Sequence, residues 1–231
     1  MFALRKNSQR PHLMTRRDRL EQFKSKKAGI TVVILLHVVG AAGFISPLSD
    51  WFVYLTPMNL LIAAGMLWID TDKDGTAAWP VALAVMAGGY FLEVIGIKTG
   101  AVFGTYAYGD VLGWKVLEVP PLIGVNWLIV IWGAFSLSLT IGVTKYYRWL
   151  TTAVFAVGLD LIIEPVAVHY GMWTWFGSKP PLQNYIAWFA AAAVLGGIFE
   201  RYPLVKKPRL GVAVFLCQIL FFGIVLRAMN Q

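Results

Sequence analysis

Seven separate stretches, residues 28–45, 51–69, 78–97, 119–143, 149–168, 182–200 and 210–226, are each apolar over a length suited to crossing a bilayer, for which a helix needs about 20 mostly apolar residues. Together they fill most of the 231 residues. The expected organisation is one helical membrane domain, residues 28–231, behind a basic cytoplasmic tail, residues 1–27. Lipid supplies no hydrogen-bond partners, so a spanning backbone must be a helix or part of a closed barrel. The alternating pattern of a barrel strand is absent. The expected fold is therefore all-α, a polytopic membrane protein of about seven transmembrane helices. A chain that is 58% hydrophobic and 14% charged has too little polar surface to dissolve as a globule.

The net charge of +8 does not point to nucleic acid, because nine of the twenty Lys and Arg residues precede the first span. With that tail in the cytoplasm, Lys73, Lys145, Arg148, Arg201, Lys206, Lys207 and Arg209 also fall inside. Only Lys98, Lys115, Lys179 and Arg227 fall outside, a bias of sixteen to four. Such a bias orients the chain with an inner N-terminus and an outer C-terminus, the tail resting near anionic lipid. A charged stretch ahead of the first apolar run is unlike a cleavable signal peptide. The single cysteine, Cys217, allows no internal disulfide.

This topology sorts the intramembrane polar residues by depth, and they collect in the outer half. Glu93 and Glu164 each lie four residues before the outer end of their spans, and Asp160 lies one turn deeper on the same helix face as Glu164. Asn126 and Asn184 share that half. Pro165, directly after Glu164, removes a helical hydrogen bond of the kind that often accompanies a kink beside a cavity. A charge in hydrocarbon costs roughly 2.5–3.5 kcal/mol even on lenient scales. Lys98 is the one cation expected within reach of Glu93, while Arg148 is twelve residues from Asp160, about 18 Å along a helix. Three acids with one cation suggest a functional cluster holding a transferable proton; pairing with cations and capping of polar helix contacts are the structural alternative.

The connection "GAVFGTYAYGDVLGWKVLEVPP" is long, glycine-broken and aromatic. It is expected to fold back over the acids, since irregular backbone at membrane depth needs surrounding protein. An interfacial aromatic belt would have the same composition. Folding back brings Tyr106, Tyr108 and Asp110 toward Glu93. Trp127, Trp173, Trp175 and Trp188 lie at a similar level and could wall a pocket whose electron-rich faces favour a cation.

"EVIGIKTGAVFGTYAYGDVLG", "VPPLIGVNW", "DLIIEPVAVHYGMWTW" and "PLQNYIAWF" together resemble the membrane carotenoid biosynthesis proteins that include the CruF-type carotenoid 1,2-hydratases, the bisanhydrobacterioruberin hydratases among them. The resemblance covers roughly residues 80–190, and the glutamate with its TG..FG.Y.Y continuation is its most specific part. It implies addition of water across the terminal double bond of an acyclic carotenoid end group. Carried over by motif position, it implies roles for Glu93, Tyr106, Tyr108, Asp160, Trp173 and Asn184. The stretch "GSKPPLQN" departs from the pattern at the substrate rim.

The residues suit that chemistry independently. Hydrating a trisubstituted alkene needs a buried acid to protonate the less substituted carbon, a group to orient water, and aromatic faces to stabilise the tertiary cation. Glu93 or Asp160 is the expected proton donor, the other joining Glu164 to orient water, with Tyr106 and Tyr108 as cation-stabilising or relay groups. Asp110 completes the catalytic set, and Asn126, Trp127, Trp173, Trp175, Asn184 and Trp188 form the expected substrate wall. No cofactor or metal is expected. The resemblance implies a carotenoid substrate and other carotenoid-pathway enzymes as partners, and the expected setting is the lipid of a prokaryotic cell membrane, with no nucleic acid. A cyclase would use similar acids in a dry pocket, and a transporter could relay protons through them. Three histidines, His12, His37 and His169, are too few for a membrane di-iron centre. No span as drawn holds a lysine for a retinal Schiff base. "DTDKDG" at 70–75 imitates a calcium loop, but its twelfth position is Val81 instead of glutamate. A solvated turn is expected there.

Overall fold

The structure is a computed structural model and describes residues 16–69, 71, 78–177, 179–201 and 208–231. The tail to residue 15, with His12, and all of "DTDKDG" except Thr71 lie outside the described residues, as do Lys206 and Lys207. Among the described residues, eight helices and two short strands follow in order: α1 (Arg16–Phe44), α2 (Ser49–Val53), α3 (Thr56–Ile69), α4 (Ala78–Thr99), β1 (Tyr106–Tyr108), α5 (Leu122–Thr140), α6 (Arg148–His169), β2 (Trp173–Trp175), α7 (Leu182–Arg201) and α8 (Arg209–Met229).

Six of these helices, α1, α4, α5, α6, α7 and α8, are long and apolar enough to cross a membrane. The chain is an integral membrane protein. The second expected span, 51–69, is broken into α2 and the 14-residue α3. Pro57 is the cause. It has no N–H to donate to the Val53 carbonyl, so the helix ends at Val53 and restarts with Pro57 in the first turn of α3, where a missing donor is harmless. At about 1.5 Å per residue, α3 reaches about 21 Å, short of a hydrocarbon core of about 30 Å, yet it still carries the chain from end to end of the bundle: its start shares a cavity with Phe44, and its Met66 lies against Gly29 and Leu210. With the six long helices it makes seven passages, so the two chain ends lie on opposite sides.

Helix α5 is the axis of the bundle. It packs against α3, α4, α6, α7 and α8, and most of its side chains are buried, including Trp127, Ile129, Ile131 and Phe135. The other long helices keep apolar residues on their outer faces, such as Leu35 and Val38 on α1, Leu83 and Phe91 on α4, and Leu220 and Ile224 on α8. A helix apolar on every side is stable only where its outer face meets lipid. Exposed aromatics mark the two ends. Trp51, Trp114 and Phe176 lie at the end nearest the acids, and Trp68, Trp79, Tyr146, Tyr147 and Trp149 lie at the other. At that other end Arg148 bridges Glu200 at 3.0 Å, tying the start of α6 to the end of α7.

By the charge bias, the end that carries the basic residues is the one expected to face the cytoplasm. A reporter fused after Gln231 is expected on the outer side and one inserted at 70–77 in the cytoplasm. Cytoplasmic activity of the C-terminal reporter would invert or miscount the crossings.

Candidate active site

Glu93 sits on the buried face of α4, between one and two turns before its outer end at Thr99. Beyond Thr99 the chain turns back through Gly100 and Gly104, both with positive φ, and enters β1. There Tyr-Ala-Tyr pairs antiparallel with Trp-Thr-Trp of β2, in the register Tyr106↔Trp175, Ala107↔Thr174 and Tyr108↔Trp173. A strand alternates faces every residue. The four aromatic residues therefore share the inward face, with Ala107 and Thr174 outward and exposed. Aromatic cross-strand neighbours stabilise such a pair, and rings meet along it, Tyr106 lying 4.9 Å from Trp175 and Tyr108 6.1 Å from Trp173.

The lid is fastened at several points. Gly109 donates its amide to the Met172 carbonyl at 2.9 Å, and Phe176 donates to Thr105 at 3.1 Å. The Gln183 side chain reaches the Ala101 carbonyl at 2.6 Å, and the Tyr90 hydroxyl reaches Val116 at 2.8 Å. The expectation that this connection folds over the acids holds, and the strand pairing that holds it there is an addition.

Beneath the lid each carboxylate has its own set of donors. Glu93 Oε2 accepts from the Tyr106 and Tyr108 hydroxyls, the latter at 2.9 Å, and Oε1 accepts from Trp127 Nε1 at 3.0 Å. Glu164 Oε2 accepts from Trp175 Nε1 at 2.9 Å and Trp173 Nε1 at 3.2 Å. The Asn184 amide spans the remaining two acids, 3.3 Å from Asp160 Oδ2 and 3.5 Å from Glu164 Oε1. These last two are long beside the usual range of about 2.7–3.2 Å, which leaves Asp160 the least satisfied of the three. Burial first, and the Glu93 carboxylate second, hold the Tyr106 and Tyr108 phenols far above their ordinary range, so both remain neutral O–H donors.

The three acids, Asn126, Asn184, Ile123, Phe103 and the rings of Tyr106, Tyr108, Trp127, Trp173, Trp175 and Trp188 line one cleft of about 360 Å³. Trp127 and Trp188 form its floor, stacked with centroids 4.0 Å apart. Trp127 is seated against Gly89, where an added Cβ would fall 2.4 Å from the indole Cγ; glycine here admits the ring that reaches Glu93. No lysine or arginine is among the lining residues. Among the described residues, no group of three or more His, Cys, Asp or Glu is placed to hold a metal ion.

Two expectations are corrected. Asp110 does not descend to Glu93; it follows the Gly109 turn outward, its side chain 89% exposed and paired with Lys115 at 2.9 Å. Lys98 does not neutralise Glu93. From the last turn of α4 its flexible stem reaches outward to Glu118 at 2.9 Å, and Glu93 is satisfied by neutral donors instead. His37 is buried against Phe221, with Nδ1 2.8 Å from the Val33 carbonyl, while His169 is exposed at the end of α6 beside Tyr170. Phe103 and Ile123 were not anticipated as lining residues; nothing distinguishes them in sequence from other apolar side chains.

A family model described as "Carotenoid biosynthesis protein" matches residues 51–230, well over half of the chain. The chain belongs to that family. Every residue lining the acid cleft lies within the matched region, so this carotenoid biosynthesis protein carries its whole candidate site in the family's span. It is 28% identical over 151 residues to the bisanhydrobacterioruberin hydratase of Haloarcula japonica, a match covering 62% of this chain and 50% of that protein. The chain spans about half the length of this curated relative. No solved structure matches it.

Proposed function

We propose that this carotenoid biosynthesis protein is an enzyme that adds water across the terminal 1,2 double bond of an acyclic carotenoid end group. The observation that carries the reading is the cleft itself: three buried carboxyl groups, no lining cation, and walls of indole and phenol faces. The name of the Haloarcula relative, a hydratase, supports the same class.

The hydrogen bonds divide the roles. Glu93 and Glu164 accept two or three donors each, an arrangement that suits the carboxylate. Asp160, with one long donor from Asn184, is the group best placed to carry a proton in. It delivers that proton to the less substituted alkene carbon, the π pair forming the new C–H bond and leaving a tertiary cation. The ring faces of Trp127, Trp173 and Trp175 stabilise that cation by their electron-rich surfaces, and the carboxylates stabilise it by charge. Water, oriented by Glu93 or Glu164, attacks the cation. Its surplus proton passes to the carboxylate that oriented it and returns to Asp160 for the next turnover. The reaction uses no cofactor, and the enzyme is placed in a prokaryotic cell membrane, alongside other enzymes of the same pathway.

Isotopes separate this reading from its competitors. Membranes supplied with an acyclic carotenoid, under anaerobic conditions and without added cofactor, are expected to give a product carrying oxygen from labelled water and one solvent deuterium on the carbon beside the carbinol. Deuterium without oxygen would identify a cyclase. An unchanged pigment would fit a transporter, and label from O₂ in the hydroxyl would overturn the hydratase reading.

A further inference from the structure

A second cavity, of about 620 Å³, lies among α1, α3, α5, α6 and α8 and shares Ile123, Asn126 and Trp173 with the acid cleft. Most of its wall is apolar, from residues such as Leu60, Ile163, Met172, Phe221 and Phe222. Two buried acceptors interrupt that wall. Gln218 Oε1 and Asn59 Oδ1 have no hydrogen-bond partner, although Gln218 is only 5% exposed and both residues line the cavity. His37 lines it too. The Val33 carbonyl can only accept, so Nδ1 of a neutral His37 is the protonated nitrogen and Nε2 is a further acceptor.

Buried polar groups are normally paired, and leaving one without a partner is destabilising. A hydrocarbon end group would fill the apolar wall and leave the amides unpaired. Water would pair the amides and leave the apolar wall unfilled. A branched chain ending in a hydroxyl does both. We propose that this cavity is a subsite for a terpenoid tertiary alcohol, its hydroxyl donating its one proton to the Gln218 amide oxygen and accepting from the side-chain NH₂ of Asn59, and its methyl-branched chain held by the apolar wall. The acid that hydrates an alkene also catalyses the reverse loss of water. Drawing the new carbinol past Asn126 and Trp173 takes it away from Asp160 and favours the alcohol on the protein. The origin of that alcohol rests on the hydratase reading; the binding selectivity does not.

The test is equilibrium binding to the detergent-solubilised full chain, measured by calorimetric titration without turnover. The probes are dihydromyrcenol, a small acyclic tertiary alcohol, and dihydromyrcene, the alkene it derives from by hydration. The wild type is expected to prefer the alcohol at least about ten-fold, the worth of a hydrogen bond to an otherwise unpaired buried amide. Gln218→Leu and Asn59→Leu should each shrink that preference, and the pair together should bring it within about two-fold. If the Gln218 variant inserts poorly, the wild-type ratio and Asn59→Leu decide the matter. Equal binding of the two probes by wild type would overturn the proposal. So would variants that hydrate pigment more slowly yet keep the full alcohol preference, because the hydroxyl held by the amides would then be that of water. Alcohol selectivity in a chain that hydrates nothing would leave the subsite standing and remove the hydratase reading; hydration without selectivity would do the reverse.

Discussion

Asp160→Asn and Glu93→Gln are each expected to lower product formation by at least about 100-fold, the scale of a lost general acid or base, while the protein still inserts and expresses normally. The two losses have different causes. Asn at 160 keeps the volume and the contact to Asn184 but has no transferable proton. Gln at 93 keeps a carbonyl oxygen for the Tyr106 and Tyr108 hydroxyls, yet its NH₂ group faces Trp127 Nε1, which also donates, so one of two buried donors is left without an acceptor. Glu164→Gln faces two indole donors on a single oxygen and is expected to be the mildest of the three. The measurement is pigment turnover in membranes, normalised to inserted protein. Full turnover by both Asp160→Asn and Glu93→Gln would sink the assigned mechanism.

A comparable loss is expected from Gly109→Ala, a residue that touches no substrate. An added Cβ there would lie 2.0 Å from the Gly171 carbonyl oxygen. This is backbone against backbone, with no side-chain terminus able to swing aside. The hydrogen bond from the Gly109 amide to the Met172 carbonyl must lengthen or break, and with it the pairing that aims Tyr106 and Tyr108 at Glu93. Displacing catalytic groups by about 1 Å can cost about 100-fold in rate, and a strained position of this kind commonly removes about 0.5–3 kcal/mol of stability. Gly158→Ala on α6 is the matched control, since nothing lies within 4 Å of the added carbon. It is expected to leave turnover unchanged and melting unchanged or slightly raised, since alanine favours a helix interior. An active, normally stable Gly109→Ala protein would show that the strand pair does not position the site.

The spans and the layer of acids were legible because both depend on local rules: run length for a bilayer crossing, and helical rise for depth. Glu93, Asp160 and Glu164 converge on one cleft as their spacing implied. The break at Pro57 was readable in principle, since the proline stands in plain view, but the apolar run around it is unbroken and hydropathy alone does not register a missing N–H. The pairing of β1 with β2 was not readable. Its residues are separated by two membrane helices, and three-residue strands carry almost no periodic signal. Asp110 and Lys98 failed for a related reason. Sequence distance placed each near Glu93, while the turn at Gly109 and the outward reach of a lysine stem decide where their charges go.

The separation between β1 and β2 has a consequence for biogenesis. As the chain is synthesised, α4 carries Glu93 into the bilayer before any of its distant partners exist. Trp127 arrives with the next helix, but the strand that holds Tyr106 and Tyr108 inward is made only after α6 is complete. For that interval Glu93 is a carboxyl group in hydrocarbon with an unanchored loop above it. Nascent chains arrested before Trp173 should therefore leave residues 100–121 open to protease from the outer side, and release beyond Trp175 should close them, so that the catalytic cleft is among the last parts of the protein to form.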